Sequence, residues 1–533
     1  MRSLGTLKLF RLWRRRRTLR VLKGYRTIKA AGQLHRIAEL QQLLRETSCC
    51  KSQRGLSRTI FGDGIGSADL IIRQRASRIR DVLTRAILIS ASKKREIIVC
   101  PLPIEWAMAL RDEGLRVAVI RCSLLWSLYA FSEFLKGLRT IGLSLLRIQS
   151  KRLSMYDNNT SFVHFVNLSK GNIPLGKKGH NLYCIVNWYC QWDGRRRDIK
   201  NICHTANVDP ISLSGFSICR NPEEIPHLRG AYNTLVFFIW ALRSTAVASL
   251  GLFTGKWCYS VLLAEATASK LMSLADPRQV AKQYFFHNGI YFPPLWTYTA
   301  AARGAEIIMY FYSTNSEPLQ RFSGEVPKKN MYSLMNWPHY LVWDEFQADV
   351  VSAYSSANPV ISTVGPIWFS DQDGGLLDIQ AKSVAIFDIQ PHRTHQYCSY
   401  GLPFEYYTAP VASLFLSDAI AAAQELDLTT LYKAKRNIGS MVHPRYSSLR
   451  DTLLMNSSAV TVEPEISAIH VIQSSDLVIS MPFTSTAILA RYLGKPAVFY
   501  DPANILQKDD PAAHGIPILQ NHHDLIDWMK SKV

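Results

Sequence analysis

Residues 473–502, QSSDLVISMPFTSTAILARYLGKPAVFYDP, constrain the fold more than any other stretch of the chain. Leu477–Ser480 is a short, β-branched apolar run, as a strand buried on both faces requires. Pro482 interrupts it, and Thr484, Ser485 and Thr486 place hydroxyls where a helix must begin. The helical run AILARYL is stopped by Gly494 and Lys495-Pro496, ahead of a second apolar run, Ala497–Tyr500. Strand, tight turn, helix and strand make a βαβ unit, and therefore a parallel sheet. A helix start leaves backbone N–H groups unpaired and carries partial positive charge, so this turn suits a phosphate. An ordinary capped helix accounts for the same residues.

A chain of 533 residues predicts two domains of ordinary size. A composition 47% hydrophobic and 19% charged excludes a disordered protein. Ten cysteines without regular spacing point to reduced thiols and a cytoplasmic setting. Cys184, Cys190, Cys203 and His204 fit no paired-ligand spacing, so no structural metal is expected. The net charge of +21 is concentrated at one end: residues 1–30 carry eleven Lys or Arg, and no acidic residue precedes Glu39. Leu4, Leu7, Leu9, Phe10, Leu12 and Trp13 are interleaved with those cations, which suits a helix on anionic lipid. Nucleic acid or plain solvation could use the same charges. No apolar h-region follows them, so the arm does not read as a signal peptide. No segment is expected to reach the roughly 18–20 apolar residues of a bilayer span. Leu235–Leu242 and Ser244–Thr254, parted by Arg243, read as buried helices.

Along the chain, residues 1–60 read as the basic arm. From about Glu96 the texture is α/β, with strands expected at Ile97–Cys100, Val117–Arg121, Val163–Leu168 and Leu182–Trp188. Residues 228–286 read as mostly helical. A helix and the strand Ile307–Tyr312 follow, then the strand Val360–Val364. Ser370–Asp378, SDQDGGLLD, clusters turn formers and reads as a linker. Beyond it the alternation restarts with the strand Ser383–Asp388, the helix Ala409–Leu426 and the strand Thr429–Tyr432. The expected architecture is α/β: two Rossmann-like domains facing one cleft, over 90–375 and 376–533, behind a basic helical extension.

LYKAKRNIGSMVHPRYSSLRD, residues 431–451, adds a second constellation. A strand delivers Lys433, Lys435 and Arg436 to its C-terminal end, where α/β sheets bind ligands. In His443-Pro444-Arg445-Tyr446, the proline holds His443 extended. Cations, an imidazole and a phosphate-suited helix start converge on one sheet edge and suggest a phosphate-ester site. Gly62, Gly64 and Gly66 lack a preceding strand, and Gly251–Lys256 is one residue short of a P-loop. Asp371 and Asp373 sit in the linker, where a turn is the simpler reading than a metal site.

The string PFTST, with SDLVIS before it and GKP…YDP after it, resembles the signature of bacterial PFTS-motif polysaccharide biosynthesis proteins. The likeness covers most of residues 285–505, including WPHYLVWDEF, FDIQPHR, KAKR, HPRY and VEPEIS. That family is similar to glycosyltransferases of the GT-B architecture. HPRY and PFTST also resemble the His-Pro and Ser/Thr motifs of bacterial sialyltransferases and Kdo transferases, which hold the phosphate and nucleotide of a CMP-sugar. The resemblance implies a metal-independent glycosyltransferase of capsule or O-antigen assembly, with a nucleotide-sugar donor, a glycan or lipid-linked acceptor and no bound cofactor. It implies that His443, Thr484, Ser485 and Thr486 hold donor phosphate, with Pro444, Arg445, Pro482 and Phe483 in the same motifs. Lys435 and Arg436 would add charge, and Val462–Ser467, with Glu463 and Glu465, would lie near the nucleoside. The acidic pair that supplies the base in those transferases is missing here. Asp193 and Glu265 are the candidate bases in the first domain; a surface turn and a core ion pair, respectively, are the simpler readings of them. An epimerase or hydrolase on the same frame is the enzymatic alternative. Nucleic acid is not expected as a partner, because most of the charge excess is confined to the arm.

Overall fold

The computed structural model describes residues 19–47, 68–146 (less 78 and 94–96), 225–311, 335–366 (less 356 and 357), 377, 379, 381–392, 406–434 and 441–533 (less 464 and 465). It also describes the backbone of four short strands between 160 and 218. Two six-stranded sheets form the framework, and every pairing within them is parallel.

The first sheet contains β1 (Thr160–Phe165), β2 (Asn187–Trp192), β5 (Gln283–His287), β6 (Glu306–Tyr310), β7 (His339–Val342) and β8 (Val360–Thr363). Their order is β2-β1-β5-β6-β7-β8. A two-stranded antiparallel ribbon, β3 (Ile211–Leu213) and β4 (Phe216–Ile218), falls between β2 and β5 in sequence. The second sheet contains β9 (Ser383–Phe387), β10 (Thr429–Lys433), β11 (Val460–Val462), β12 (Leu477–Ser480), β13 (Ala497–Tyr500) and β14 (Ile518–Leu519). Its order, β11-β10-β9-β12-β13-β14, is the doubly wound 3-2-1-4-5-6 arrangement, whose direction reverses between β9 and β12.

Alternation along the central strands explains why both faces of the second sheet are covered. Val384, Ile386 and Ile479 join one buried cluster, while Ala385, Phe387 and Val478 join another. The first of these clusters runs on into Tyr284, Phe286, Trp337 and Tyr340 of the first sheet, so the two α/β halves share one apolar core.

A second, mostly helical cluster packs helices 19–30, Leu34–Glu46, Ala68–Ser77, Arg80–Ala91, Ile104–Asp112, Val119–Leu146, Ala231–Phe253 and Cys258–Leu274. Three expectations change here. Residues 19–46 are a packed part of this layer, with Val21, Tyr25, Ile28, Ile37 and Leu40 buried, and Arg14–Arg17 lie outside the described residues. Ile97–Cys100 and Val117–Arg121 are not sheet strands: Ile98 and Val117 form a lone parallel bridge, and a helix begins at Val119. Ala231–Phe253 is one 23-residue helix running through Arg243, long and apolar enough by composition to cross a bilayer, with only 28% of its most apolar window buried. The split at Arg243 misled because one cation is readily carried on an exposed helix face.

Candidate functional site

The carboxyl ends of β9 and β12 meet where the strand order reverses, and a doubly wound sheet opens its crevice there. β12 ends at Ser480, which stands in register with Phe387 of β9, and the Met481 N–H donates to the Phe387 carbonyl at 3.0 Å. Met481–Thr484 then turn the chain sharply into the Ser485–Tyr492 helix. Phe483 occupies the left-handed region at φ 59°, a costly conformation for a residue with a bulky Cβ. Its ring packs against Phe499, with centroids 6.1 Å apart. The Tyr407 hydroxyl donates to the Pro482 carbonyl at 2.9 Å, and the Thr484 hydroxyl to the Met481 carbonyl at 2.7 Å.

These bonds give two of the three hydroxyls partners within the turn. Thr484 is buried and spends its proton on the turn, while Thr486 Oγ lies 2.8 Å from Ser480 Oγ and 3.2 Å from Thr484 Oγ. Both threonines brace the turn from inside. As N-cap, Thr484 makes no side-chain bond to the first helical turn, so it does not occupy the N–H groups there. Ser485, half-buried, is the first residue of the helix. At the far end, Gly494 (φ 72°) closes the helix: the Lys495 N–H reaches the Ala490 carbonyl and the Gly494 N–H that of Arg491, a Schellman stop.

FDIQPHR and HPRY, far apart in sequence, are stitched together across the neighbouring strands. Asp388, just past β9, is buried and accepts from Tyr432 at 2.8 Å and from Tyr446. Burial, and then the Asp388 charge, push both phenols well above their usual range, so they stay protonated donors at neutral pH. Tyr446 lies in the first turn of the Pro444–Met455 helix, whose N-cap is His443. The His443 N–H donates to the Pro391 carbonyl at 2.8 Å, and Val442 bridges to His392. Asp388 therefore fixes where the His443 imidazole stands relative to β9 and β10.

Lys433 is buried at the end of β10, opposite Phe387, and Pro444 and Arg445 are exposed on the first turn after His443. Glu463 is exposed just beyond the edge strand β11. Lys435, Arg436, Glu465, Asp193 and the Asp371–Asp373 stretch lie outside the described residues, as do Cys184, Cys203 and His204. Glu265 belongs to the helical layer, where it is ion-paired with Arg75; the core ion pair is the better account of it.

Sequence reasoning missed three features. Asp501, in the YDP string, is fully buried and accepts from Tyr406 and from the N–H groups of Ala503, Ile505 and Leu506, which shapes the loop after β13. His287 is buried at the carboxyl end of β5, beside the reversal point of the first sheet; the Gly289 N–H donates to its Nδ1 at 3.0 Å, so the neutral ring carries its proton on Nε2. Asp344, N-cap of the Glu345–Tyr354 helix, reaches across to the second half: His514 Nδ1 lies 2.7 and 2.8 Å from its two oxygens, and Arg491 donates at 3.0 Å. A carboxylate only accepts, so His514 carries its proton on Nδ1. A polar recess of about 260 Å³ lined by Lys382, Ser475, Asp476 and Lys495 opens at the amino ends of the strands, opposite the crevice.

Among curated proteins none matches the sequence. Solved structures with a similar trace include a variant of the wall teichoic acid polymerase TagF, 12% identical over 76% of this chain and 89% of that one, with a TM-score of 0.36. The UDP-GlcNAc 2-epimerase from Methanocaldococcus jannaschii is 9% identical over 70% and 91%, with a TM-score of 0.33. The kitacinnamycin glycotransferase is 10% identical over 70% and 89%, also at 0.33. The profile of the polysaccharide biosynthesis PFTS motif proteins matches residues 238–529, taking in both sheets from β5 onward. With more than half its length matched, and Pro482–Ser485 forming the turn at the reversal point, this chain belongs to the PFTS-motif family of polysaccharide biosynthesis proteins.

Proposed function

We propose that the protein is a glycosyltransferase of surface polysaccharide assembly, capsule or O-antigen, that transfers a sugar from a nucleotide-sugar to a glycan or lipid-linked acceptor. The observation that carries the reading is the braced Met481–Thr484 turn. It delivers an eight-residue helix, uncapped by its own N-cap side chain, to the crevice between β9 and β12. Such a helix start suits the diphosphate or phosphate of a donor. Ser485 and His443 would contact that phosphate, with Lys435 and Arg436 adding charge and Glu463 and Glu465 near the nucleoside. CMP is the favoured nucleotide, on the likeness of HPRY and PFTST to the motifs of CMP-sugar transferases, and the sugar is a hexose or a nonulosonate such as Kdo.

In this mechanism the leaving phosphate gathers negative charge as the glycosidic bond breaks. The helix dipole, the Ser485 hydroxyl and the cations would stabilise it, so no metal is required. A base on the first half, with Asp193 the remaining carboxylate candidate, would take the proton of the acceptor hydroxyl. The basic residues near the start of the chain would draw the enzyme to the cytoplasmic face of an anionic membrane, where a lipid-linked acceptor resides.

The test is a thermal-shift screen against CMP, UDP, GDP and their sugars, followed by titration of Ser485→Ala and His443→Ala. One nucleotide should raise the melting temperature, by about 2.7 kcal/mol of stabilisation at a hundredfold excess over Kd. Each variant should weaken that binding about tenfold. Unchanged affinity in both would remove the site assignment. Donor consumption without any acceptor would instead indicate an epimerase or hydrolase.

A further inference from the structure

The Val119–Leu146 and Ala231–Phe253 helices are apolar on two opposite sides. In the first, Cys122, Trp126, Ala130, Phe134 and Ile141 recur every four or seven residues and are buried. Ile120, Leu124, Leu128, Phe131 and Leu135 recur on the opposite side and are exposed, Ile120 by 78%. In the second, Phe237, Ala241, Ser244, Ala248 and Gly251 form the buried stripe. Leu235, Phe238, Ile239, Leu242 and Leu250 form an exposed one, between 45% and 63% open. Both helices pack on each other and on the Cys258–Leu274 helix, which is itself largely buried. The approach is close: a Cβ on Gly137 would fall 2.7 Å from the Leu263 side chain, and Ser260 Oγ donates to the Ala248 carbonyl at 2.8 Å. Each outward stripe therefore points away from one shared support, and the two form one broad apolar surface.

The charge around this surface identifies what covers it. Ala231–Phe253 carries a single charged residue, Arg243, which is exposed. Val119–Leu146 carries exposed Arg121, Lys136 and Arg139 against one acid, Glu133, already paired with Lys136. Elsewhere on the same helical layer, helix 19–30 exposes Arg20, Lys23, Arg26 and Lys29 and has no acid at all. An apolar face marked by cations, with its one acid neutralised, complements an anionic bilayer. The inner stripe of Ala231–Phe253 packs on the Val119–Leu146 and Cys258–Leu274 helices, an arrangement that suits a helix lying along a bilayer surface.

We propose that the two-helix face seats in the headgroup–acyl boundary of an anionic bilayer, as an attachment surface separate from the basic residues 1–18. The inference stands independently of the donor chemistry. Flotation with vesicles of phosphatidylglycerol and phosphatidylcholine tests it. The combined substitutions Leu124→Glu, Leu128→Glu, Phe238→Glu and Ile239→Glu should lower partitioning about a hundredfold or more with an unchanged melting temperature. Deleting residues 1–18 should weaken attachment but leave measurable binding, and pure phosphatidylcholine should bind less than the anionic mixture. Hydrogen exchange of the unmodified protein supplies a reading that needs no variant: vesicles should slow exchange across 119–146 and 231–253 and leave 477–500 unchanged. Unaltered partitioning of the folded variant, or no added protection in either helix, overturns the proposal. Conversion of a lipid-free dimer to a monomer by the same substitutions would assign the face to a second copy and overturn it equally.

Discussion

Asp344→Asn asks whether charge, beyond shape, joins the two α/β halves. Asparagine keeps an acceptor for the Gln347 N–H, 3.1 Å away, so the helix cap survives. What is lost is the negative charge facing His514 and Arg491. His514 is fully buried and both carboxylate oxygens lie within 2.8 Å of its Nδ1, a charge-assisted bond of about 1.5–3 kcal/mol. Arg491 is 40% exposed at 3.0 Å, and solvent screening reduces its share to about 0.5 kcal/mol. The sum, about 2–3.5 kcal/mol, corresponds to a fall of about 4–14 °C in melting temperature for a domain of this size.

The pH dependence of that loss has a definite sign. Burial acts to raise the Asp344 carboxyl, but the His514 hydrogen bond and charge, the Gln347 N–H and Arg491 together hold it below the usual carboxylate range. A depressed carboxylate contributes stability above its unfolded pKa of about 3.9, and the contribution disappears as pH falls through the folded value. Calorimetry should therefore show the full gap between wild type and variant at neutral pH and a closing gap below about pH 4. A double-mutant cycle with Arg491→Met should return the smaller, screened coupling. A variant that melts within about 1 °C of wild type at neutral pH refutes the clasp, as does a gap independent of pH.

Other outcomes follow from the same contacts. Tyr407→Phe removes the donor to the Pro482 carbonyl; it should cost about 1 kcal/mol in a melt and weaken nucleotide binding several-fold, and unchanged binding would mean that the turn holds its shape without it. Glu265→Gln should lower stability through the stranded Arg75 while leaving kcat near normal, whereas Asp193→Asn should lower kcat at least a hundredfold; the reverse pattern would exchange their roles. Asp388→Asn should reduce stability by about 2–3 kcal/mol by weakening two tyrosine bonds at once, read as a shift in urea midpoint with unchanged slope. Turnover should survive exhaustive chelation, and strict metal dependence would redirect attention to Asp371 and Asp373.

The parts of this fold legible in the sequence are those where one local rule decides. Leu477–Ser480 and Ala497–Tyr500 are strands at those bounds because short β-branched runs between turn formers have few other uses. The Gly494 stop holds because a helix end at φ 72° selects glycine. Gln283–His287 falls inside 228–286, a stretch whose long apolar helices dominate its pattern; the break at Asp276-Pro277 ends the helix, and tertiary pairing with β6 decides the state of QYFFH. Val117–Arg121 carries the same β-branched signal that succeeds elsewhere, yet among the described residues Val117 pairs only with Ile98 and a helix begins at Val119. Within the site, composition located the PFTST turn but could not assign its hydroxyls, since serine and threonine look alike until their partners are known. Asp388, Asp344 and Asp501 were invisible for a related reason: each has a side-chain partner 44 or more positions away, Tyr432, His514 and Tyr406 respectively.

The Ser485–Tyr492 helix ties these features together. Its first turn rises from the Met481–Thr484 turn that would face the donor, and its last turn carries Arg491 into the clasp with Asp344. Tyr492 meets the chain leaving β8: a Cβ on Gly365, itself at φ 76°, would fall 2.8 Å from the Tyr492 hydroxyl. A Cβ on Gly515, beside His514, would fall 3.2 Å from the Phe346 ring. At about 1.5 Å per residue, eight residues place the two ends of the helix about 12 Å apart, a rigid span that does not absorb a shift at either end. A movement of the first half against the second would therefore tilt the helix start that the donor phosphate is proposed to occupy. Binding at the start would, by the same rigidity, bias how the halves sit, because coupling between two sites is reciprocal.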